Sequence, residues 1–180
     1  MQWDIGKPNP RQIEFFKARA RFIAYGGARG GGKSWAVRKK AAGLALSYNG
    51  ISILILRRTF PELRENHILP MMADLMGIAR YRDMDKSFTF PNGSRIVFGY
   101  CYSEADVLQY QGQEYDVIFM DEATQFTEFQ FTTLTACLRG ANDFPKRFYL
   151  TCNPGGVGHA WVKRLFIDRR YKKTEHPEDY

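Results

Sequence analysis

Gly27-Ala28-Arg29-Gly30-Gly31-Gly32-Lys33-Ser34 satisfies the pattern G-x-x-x-x-G-K-[ST] in full. Glycines let a backbone curl so that successive N–H groups converge on phosphate oxygens, and the positive end of a following helix adds to that attraction. In such a loop Lys33 reaches the β- and γ-phosphates of a nucleotide, and the Ser34 hydroxyl holds Mg²⁺. A second chemical signal follows Lys33 by 88 residues: Val117-Ile118-Phe119-Met120 runs into Asp121-Glu122. A buried strand would deliver Asp121 to the sheet's carboxyl edge beside the magnesium shell, and Glu122 to a position where it polarises a water for in-line attack. Either acid alone is a common strand ending; combined with the glycine loop, the pair points to hydrolysis rather than phosphate grip alone.

Both motifs need a parallel sheet to bring them together, and the chain supplies one. Arg21–Tyr25 reads as a strand entering the glycine loop, and Lys33–Ser47 as the helix leaving it, stopped by Asn49-Gly50. Ile51–Leu56 is continuously apolar apart from Ser52, as expected for a strand covered on both faces. Asn9-Pro10 opens a helix through about Ala20, and Pro61–Met76 predicts another. Ser87–Phe90 and Ser94–Phe98 flank Pro91-Asn92-Gly93 as a hairpin. Short helices are predicted at Glu104–Tyr110, Glu128–Leu138 and His159–Ile167, with strands at Asp116–Met120 and Arg147–Cys152. The predicted fold class is α/β: a three-layer P-loop NTPase with a mainly parallel central sheet and an inserted antiparallel hairpin.

Composition agrees with one globular unit of 180 residues, 44% hydrophobic and 25% charged. No apolar run approaches the roughly 20 residues needed to span a bilayer, and Met1–Asp4 does not open a signal peptide. Cys101, Cys137 and Cys152 form neither a disulfide framework nor a zinc pattern, which suits a reducing cytoplasm. His67, His159 and His176 have no metal spacing. The net charge of +7 is uneven: residues 1–60 hold twelve Lys/Arg against two acids, whereas residues 61–144 hold six against thirteen. A basic region of this kind attracts polyanions such as nucleotides or DNA, and is equally compatible with an ordinary solvated face. Arg57-Arg58-Thr59, just past the Ile51–Leu56 strand, falls where a strand end meets either the site or DNA.

The glycine loop, the Asp121-Glu122 strand end, Thr151-Cys152-Asn153-Pro154, His159-Ala160-Trp161-Val162-Lys163 and Asn9-Pro10-Arg11-Gln12 occur in an order that resembles the large terminase subunits of tailed bacteriophages. The resemblance runs across nearly the whole chain. It implies an ATPase domain of the additional-strand, catalytic-glutamate (ASCE) type over residues 1–168, with 169–180 a polar tail or the start of a linker to a nuclease domain. It further implies that Gln12 reads adenine, that Arg29 offsets charge on the transferring phosphoryl group, and that Thr151 and Asn153 form a coupling motif sensing the γ-phosphate. Arg139 is a candidate arginine finger reaching a neighbouring subunit, or simply a helix-terminal arginine facing its own dipole. The implied cofactors are ATP and Mg²⁺. The implied partners are double-stranded DNA, a portal protein, a small terminase subunit and further copies in a homo-oligomeric ring, all in the host cytoplasm.

Two other readings stay open on the residues alone. A helicase-like or repair ATPase would be expected to carry a second motor domain. A nucleotide-dependent switch reading guanine would usually carry N-K-x-D, and no such tetrapeptide occurs.

Overall fold

Alternation within the apolar strands builds two cores from one sheet. In β2 (Ser52–Arg57), Ile53 and Ile55 face one side while Leu54 and Leu56 face the other, all fully buried. The computed structural model describes residues 3–180; Met1 and Gln2, the first half of the Met1–Asp4 segment, lie outside the described residues. Its other strands are β1 (Phe22–Gly26), β3 (Arg80–Arg82), β4 (Ser87–Thr89), β5 (Arg95–Tyr100), β6 (Val117–Met120) and β7 (Arg147–Cys152). They form one seven-stranded sheet in the order β1-β7-β6-β2-β5-β4-β3. The first five in that order are mutually parallel; β4 and β3 add an antiparallel end.

The helices are α1 (Pro10–Lys17), α2 (Lys33–Ser47), α3 (Phe60–Leu63), α4 (Leu69–Asp74), α5 (Glu128–Thr135) and α6 (His159–Phe166). Those from α1 to α4 pack on the face carrying Ile53, Ile55, Phe119 and Tyr149. On the opposite face α5, α6 and a 3₁₀ turn at Ala105–Tyr110 cover Leu54, Leu56, Ile118 and Leu150. Each such buried aliphatic side chain contributes roughly 1.5–3 kcal/mol relative to exposure. The result is the expected three-layer α/β domain. Among the described residues no helix is long and apolar enough to cross a membrane.

The structure departs from the sequence reading in three places. The expected hairpin is present as β4 and β5, with β5 also pairing parallel with β2, and it gains an edge strand, β3, that the sequence reading lacked. The β2 strand runs one residue further than expected and carries Arg57 into the sheet. The helix expected over Pro61–Met76 widens into a π turn at Arg64–Ile68 and ends at Asp74. Pro70 explains the widening, because it has no N–H to give and its ring crowds the carbonyl four residues earlier. That carbonyl, on Asn66, is taken instead by Arg38 Nη1 at 2.5 Å.

The segment 169–180, expected as a polar tail or linker, lies against the domain. Arg164 pairs with Glu175 at 2.8 Å and Glu128 at 2.9 Å, and Tyr180 stacks on Phe22 at 4.9 Å between centroids.

Gly99, opposite Leu56 in the register, is a tight point of the α5-side core. A Cβ there would lie 2.9 Å from Tyr110 Cζ, and the Tyr110 hydroxyl is already bonded to the Tyr100 carbonyl at 3.1 Å. Gly99→Ala is therefore expected to destabilise the domain by about 1–3 kcal/mol, measured as a lower urea midpoint at unchanged slope.

Candidate active site

The carboxyl ends of β1, β7, β6 and β2 meet at one cavity of about 650 Å³. Its floor is the glycine loop. Gly30 and Gly32 adopt left-handed backbone (φ +78° and +70°), and α2 begins directly behind them. Left-handed backbone costs a non-glycine residue about 1–2 kcal/mol. A side chain at Gly32 would also collide with Gln12 Nε2, 2.6 Å from where its Cβ would stand. Lys33 is buried, and its Nζ donates to the carbonyls of Gly27 (3.1 Å) and Ala28 (2.7 Å). Arg29 is exposed on the cavity lip.

Asp121 stands at the cavity's inner wall, 1% exposed. Its Oδ2 accepts from Ser34 Oγ at 2.8 Å and His67 Nε2 at 2.7 Å, and lies 3.2 Å from Arg57 Nε. Its Oδ1 accepts from the Thr151 hydroxyl. Burial by itself would raise its pKa, but His67, Arg57 and Thr151 together hold the carboxyl well below the usual range. Burial lowers the pKa of His67 despite the carboxylate, and because an ionised carboxylate can only accept, the ring's Nε2 is the donor in that contact. Its Nδ1 has no partner among the described residues.

Glu122 has left-handed backbone, φ 58° and ψ 54°, an uncommon state for a residue with a side chain. Its N–H donates to Thr151 Oγ1 at 2.9 Å. Its carboxylate accepts from Gln125 Nε2 at 2.7 Å and pairs with Arg57 Nη1 at 3.0 Å. Arg57 thus spans both acids from a side chain only 6% exposed. In that low-dielectric setting, five side chains, Ser34, Arg57, His67, Gln125 and Thr151, balance two carboxylates.

The sequence-derived candidates distribute as follows. Gly30 to Ser34, Arg29, Asp121, Glu122 and Asn153 share the cavity. Gly27 and Ala28 line a neighbouring hollow with Asn9, Arg11 and Tyr25. Gln12 is buried behind the loop, where it completes a capping box with Asn9 and donates to the Gly32 carbonyl at 3.1 Å. The Asn153 carbonyl accepts from Thr124 Oγ1 at 3.0 Å. Arg139 pairs with Glu114 at 3.3 Å, beside the Tyr115–Leu138 bridge at the amino end of β6. That is the rim opposite the acids, so Arg139 takes no part in its own chain's site.

Sequence reasoning missed His67, Arg38 and Gln125, and left Arg57 unassigned between site and DNA. Only Arg57 carried a signal, its place at a strand end. His67 reaches Asp121 from a π turn whose cause, Pro70, lies three residues on.

A β-strand, a left-handed glycine loop bearing Lys33 and Ser34, and an acid pair two strands away, with β7 as the additional strand between, define a P-loop NTPase fold. More narrowly, the chain belongs to the phage terminase large subunit family, whose model matches residues 19–180. The large terminase of a thermophilic bacteriophage superposes with a TM-score of 0.71 at 21% identity, over 91% of this chain and 43% of its own. That thermophilic phage protein has also been solved with ATP-gamma-S and with ADP. The HK97 bacteriophage large terminase gives 0.67 at 13% identity, over 91% of this chain and 38% of its own. The large terminase ATPase domain of Thermus phage P74-26 gives 0.58 at 14%, over 97% and 94%. No curated protein sequence matches the chain. The chain spans less than half the length of the thermophilic phage and HK97 proteins, and at these identities the likeness concerns the fold.

The Asp121 network makes a pH prediction. The folded pKa lies below the unfolded value of about 3.9. Ionised Asp121 therefore stabilises the fold above that pH, and the contribution is lost as pH falls beneath it. Urea titrations from about pH 6 down to pH 3 should show Asp121→Asn losing part of the acid-side slope, up to about 1.4 kcal/mol per pH unit.

Proposed function

We propose that this domain binds and hydrolyses Mg-ATP, and that in the complete packaging motor the cycle drives double-stranded viral DNA into a procapsid. The observation that carries the reading is the meeting of Lys33 and Ser34 with Asp121 and Glu122 in one cavity, joined by the 2.8 Å contact between Ser34 Oγ and Asp121 Oδ2. Family membership supports the packaging context.

The residues divide the work by position. The loop N–H groups and Lys33 would hold the β- and γ-phosphates, with Lys33 exchanging its carbonyl partners for phosphate oxygens. Ser34 and Asp121 offer hard oxygen donors, and no group of three or more His, Cys, Asp or Glu side chains suited to a metal occurs among the described residues. That set fits Mg²⁺, which keeps waters and phosphate oxygens and takes few protein ligands. When bound, the ion would neutralise developing phosphate charge.

Glu122 is the general base in this reading. To reach a water its carboxylate must loosen its contacts with Arg57 and Gln125. Arg29, exposed on the lip, offsets charge on the transferring phosphoryl group. Asn153, beside Glu122 across β7 and β6, senses the γ-phosphate and passes its state to α6. Gln12 serves the nucleotide end by supporting Gly32, with adenine contact as its further role. A ring of copies, a portal protein, a small terminase subunit and the host cytoplasm complete the proposal by family.

Lys33→Ala is expected to abolish nucleotide binding or reduce it severely, as read by calorimetric titration of the folded variant. Wild-type affinity there would remove the phosphate-loop assignment. Glu122→Gln should keep Mg-ATP affinity while turnover falls by about 10²–10⁴-fold. A wild-type rate in steady-state phosphate release would place the base elsewhere.

A further inference from the structure

The carboxyl rim of the sheet continues past the acids to β2 and β5, and its chemistry changes there. In register, Arg57 lies opposite Tyr100. Arg57 turns in to the two acids, and Arg58 follows it in the bend just past β2. Arg58 sits 4.5 Å above the ring of Tyr102. Lys86, whose carbonyl bonds the N–H of Phe98 near the end of β5, sits 4.6 Å above Phe60. Phe60 in turn lies 6.0 Å from the ring of Tyr100. Tyr100 and Tyr102 are 42% and 61% exposed. The nearby acids make contacts within the chain that orient their carboxylates without removing their charge: Glu62 accepts from Thr59, Glu104 from Thr127 and Asp106 from the Ser103 N–H, while Asp85 pairs with Arg82 at 3.3 Å.

We propose that this ridge of Arg58, Lys86, Tyr100 and Tyr102 is where the domain grips the phosphate backbone of duplex DNA, an inference resting on the DNA-translocation reading above. Aromatic faces hold the two cations in place without neutralising them, so little side-chain entropy is lost when a phosphate arrives. Tyrosine hydroxyls donate to phosphate oxygens alongside Arg and Lys. Phosphate contacts carry no base information, so a grip made through them is independent of sequence. Its position gives it a mechanical role. Arg58 is bonded directly to Arg57, the residue that holds Glu122, so a load on the ridge acts one peptide away from the base's restraint.

The test is fluorescence anisotropy of a labelled random-sequence duplex with the full chain, over a salt series. Arg58→Gln/Lys86→Gln should lose about tenfold or more in affinity at low salt and lower the salt slope by about two. Lys17→Gln/Arg19→Gln removes equal charge from exposed residues at the end of α1 and before the amino end of β1, the opposite rim of the sheet, and should retain wild-type affinity. Nucleotide affinity and thermal unfolding of both variants should match the unaltered chain. Wild-type affinity and slope in the ridge variant would overturn the inference, as would an equal loss in the Lys17→Gln/Arg19→Gln variant. Altered self-association with unchanged DNA binding would assign the ridge to a neighbouring subunit and equally overturn it. An unaltered chain that hydrolyses ATP but binds no duplex at any salt would overturn the ridge while leaving the ATPase reading standing.

Discussion

The buried carboxylate of Asp121 is the interaction on which the rest of the structure depends. An unpaired charge at 1% exposure would be prohibitively costly, and here each oxygen is satisfied by a donor from a different element. Ser34 comes from α2, Arg57 from β2, His67 from the π turn and Thr151 from β7. One charge thereby fixes the glycine loop's helix, two strands and the α3–α4 segment relative to one another. A partial failure of that set would leave a buried carboxylate undersatisfied, which is why the arrangement forms as a unit.

The same network sets the geometry of Glu122. Thr151 bonds Asp121 through its hydroxyl and receives the Glu122 N–H, so the second acid inherits its backbone position from the first. Beyond β7 the chain packs tightly on the turn after β6. A Cβ on Gly156 would lie 3.1 Å from the Thr124 carbonyl carbon, and one on Gly158 would lie 2.7 Å from Trp161 Nε1. The Trp161 indole donates to the Phe126 carbonyl at 2.9 Å. A change in the turn bearing Glu122 therefore presses on α6, and α6 carries Arg164, the anchor of residues 169–180. That is a contiguous packed route from the acid to residues 169–180; energetic coupling along it is a separate property from contact.

How much of this was legible beforehand divides by range. The glycine loop, the apolar strand before Asp121-Glu122, the exact span of α2 and that of β7 are local patterns. Backbone curl, capping and two-sided burial act over a few residues, and the residue types announce them. The three-layer class followed from strands alternating with helices. By itself, then, the sequence determined the fold class, the glycine loop between β1 and α2 and the position of the two carboxylates at the end of β6.

The partners of those carboxylates were decided only by the tertiary structure. His67 reaches Asp121 because Pro70 denies the Asn66 carbonyl its N–H and the helix widens, turning the imidazole toward β6. Arg57 bridges both acids because β2 runs one residue past its apolar core and lies directly beside β6. Gln12 supports Gly32 because a capping box, readable in Asn9-Pro10-Arg11-Gln12, happens to sit behind the loop. In each case a polar side chain finds its partner 20 or more residues away. Such a pairing depends on strand order and helix phase together, and neither is encoded in the residues on either side of it.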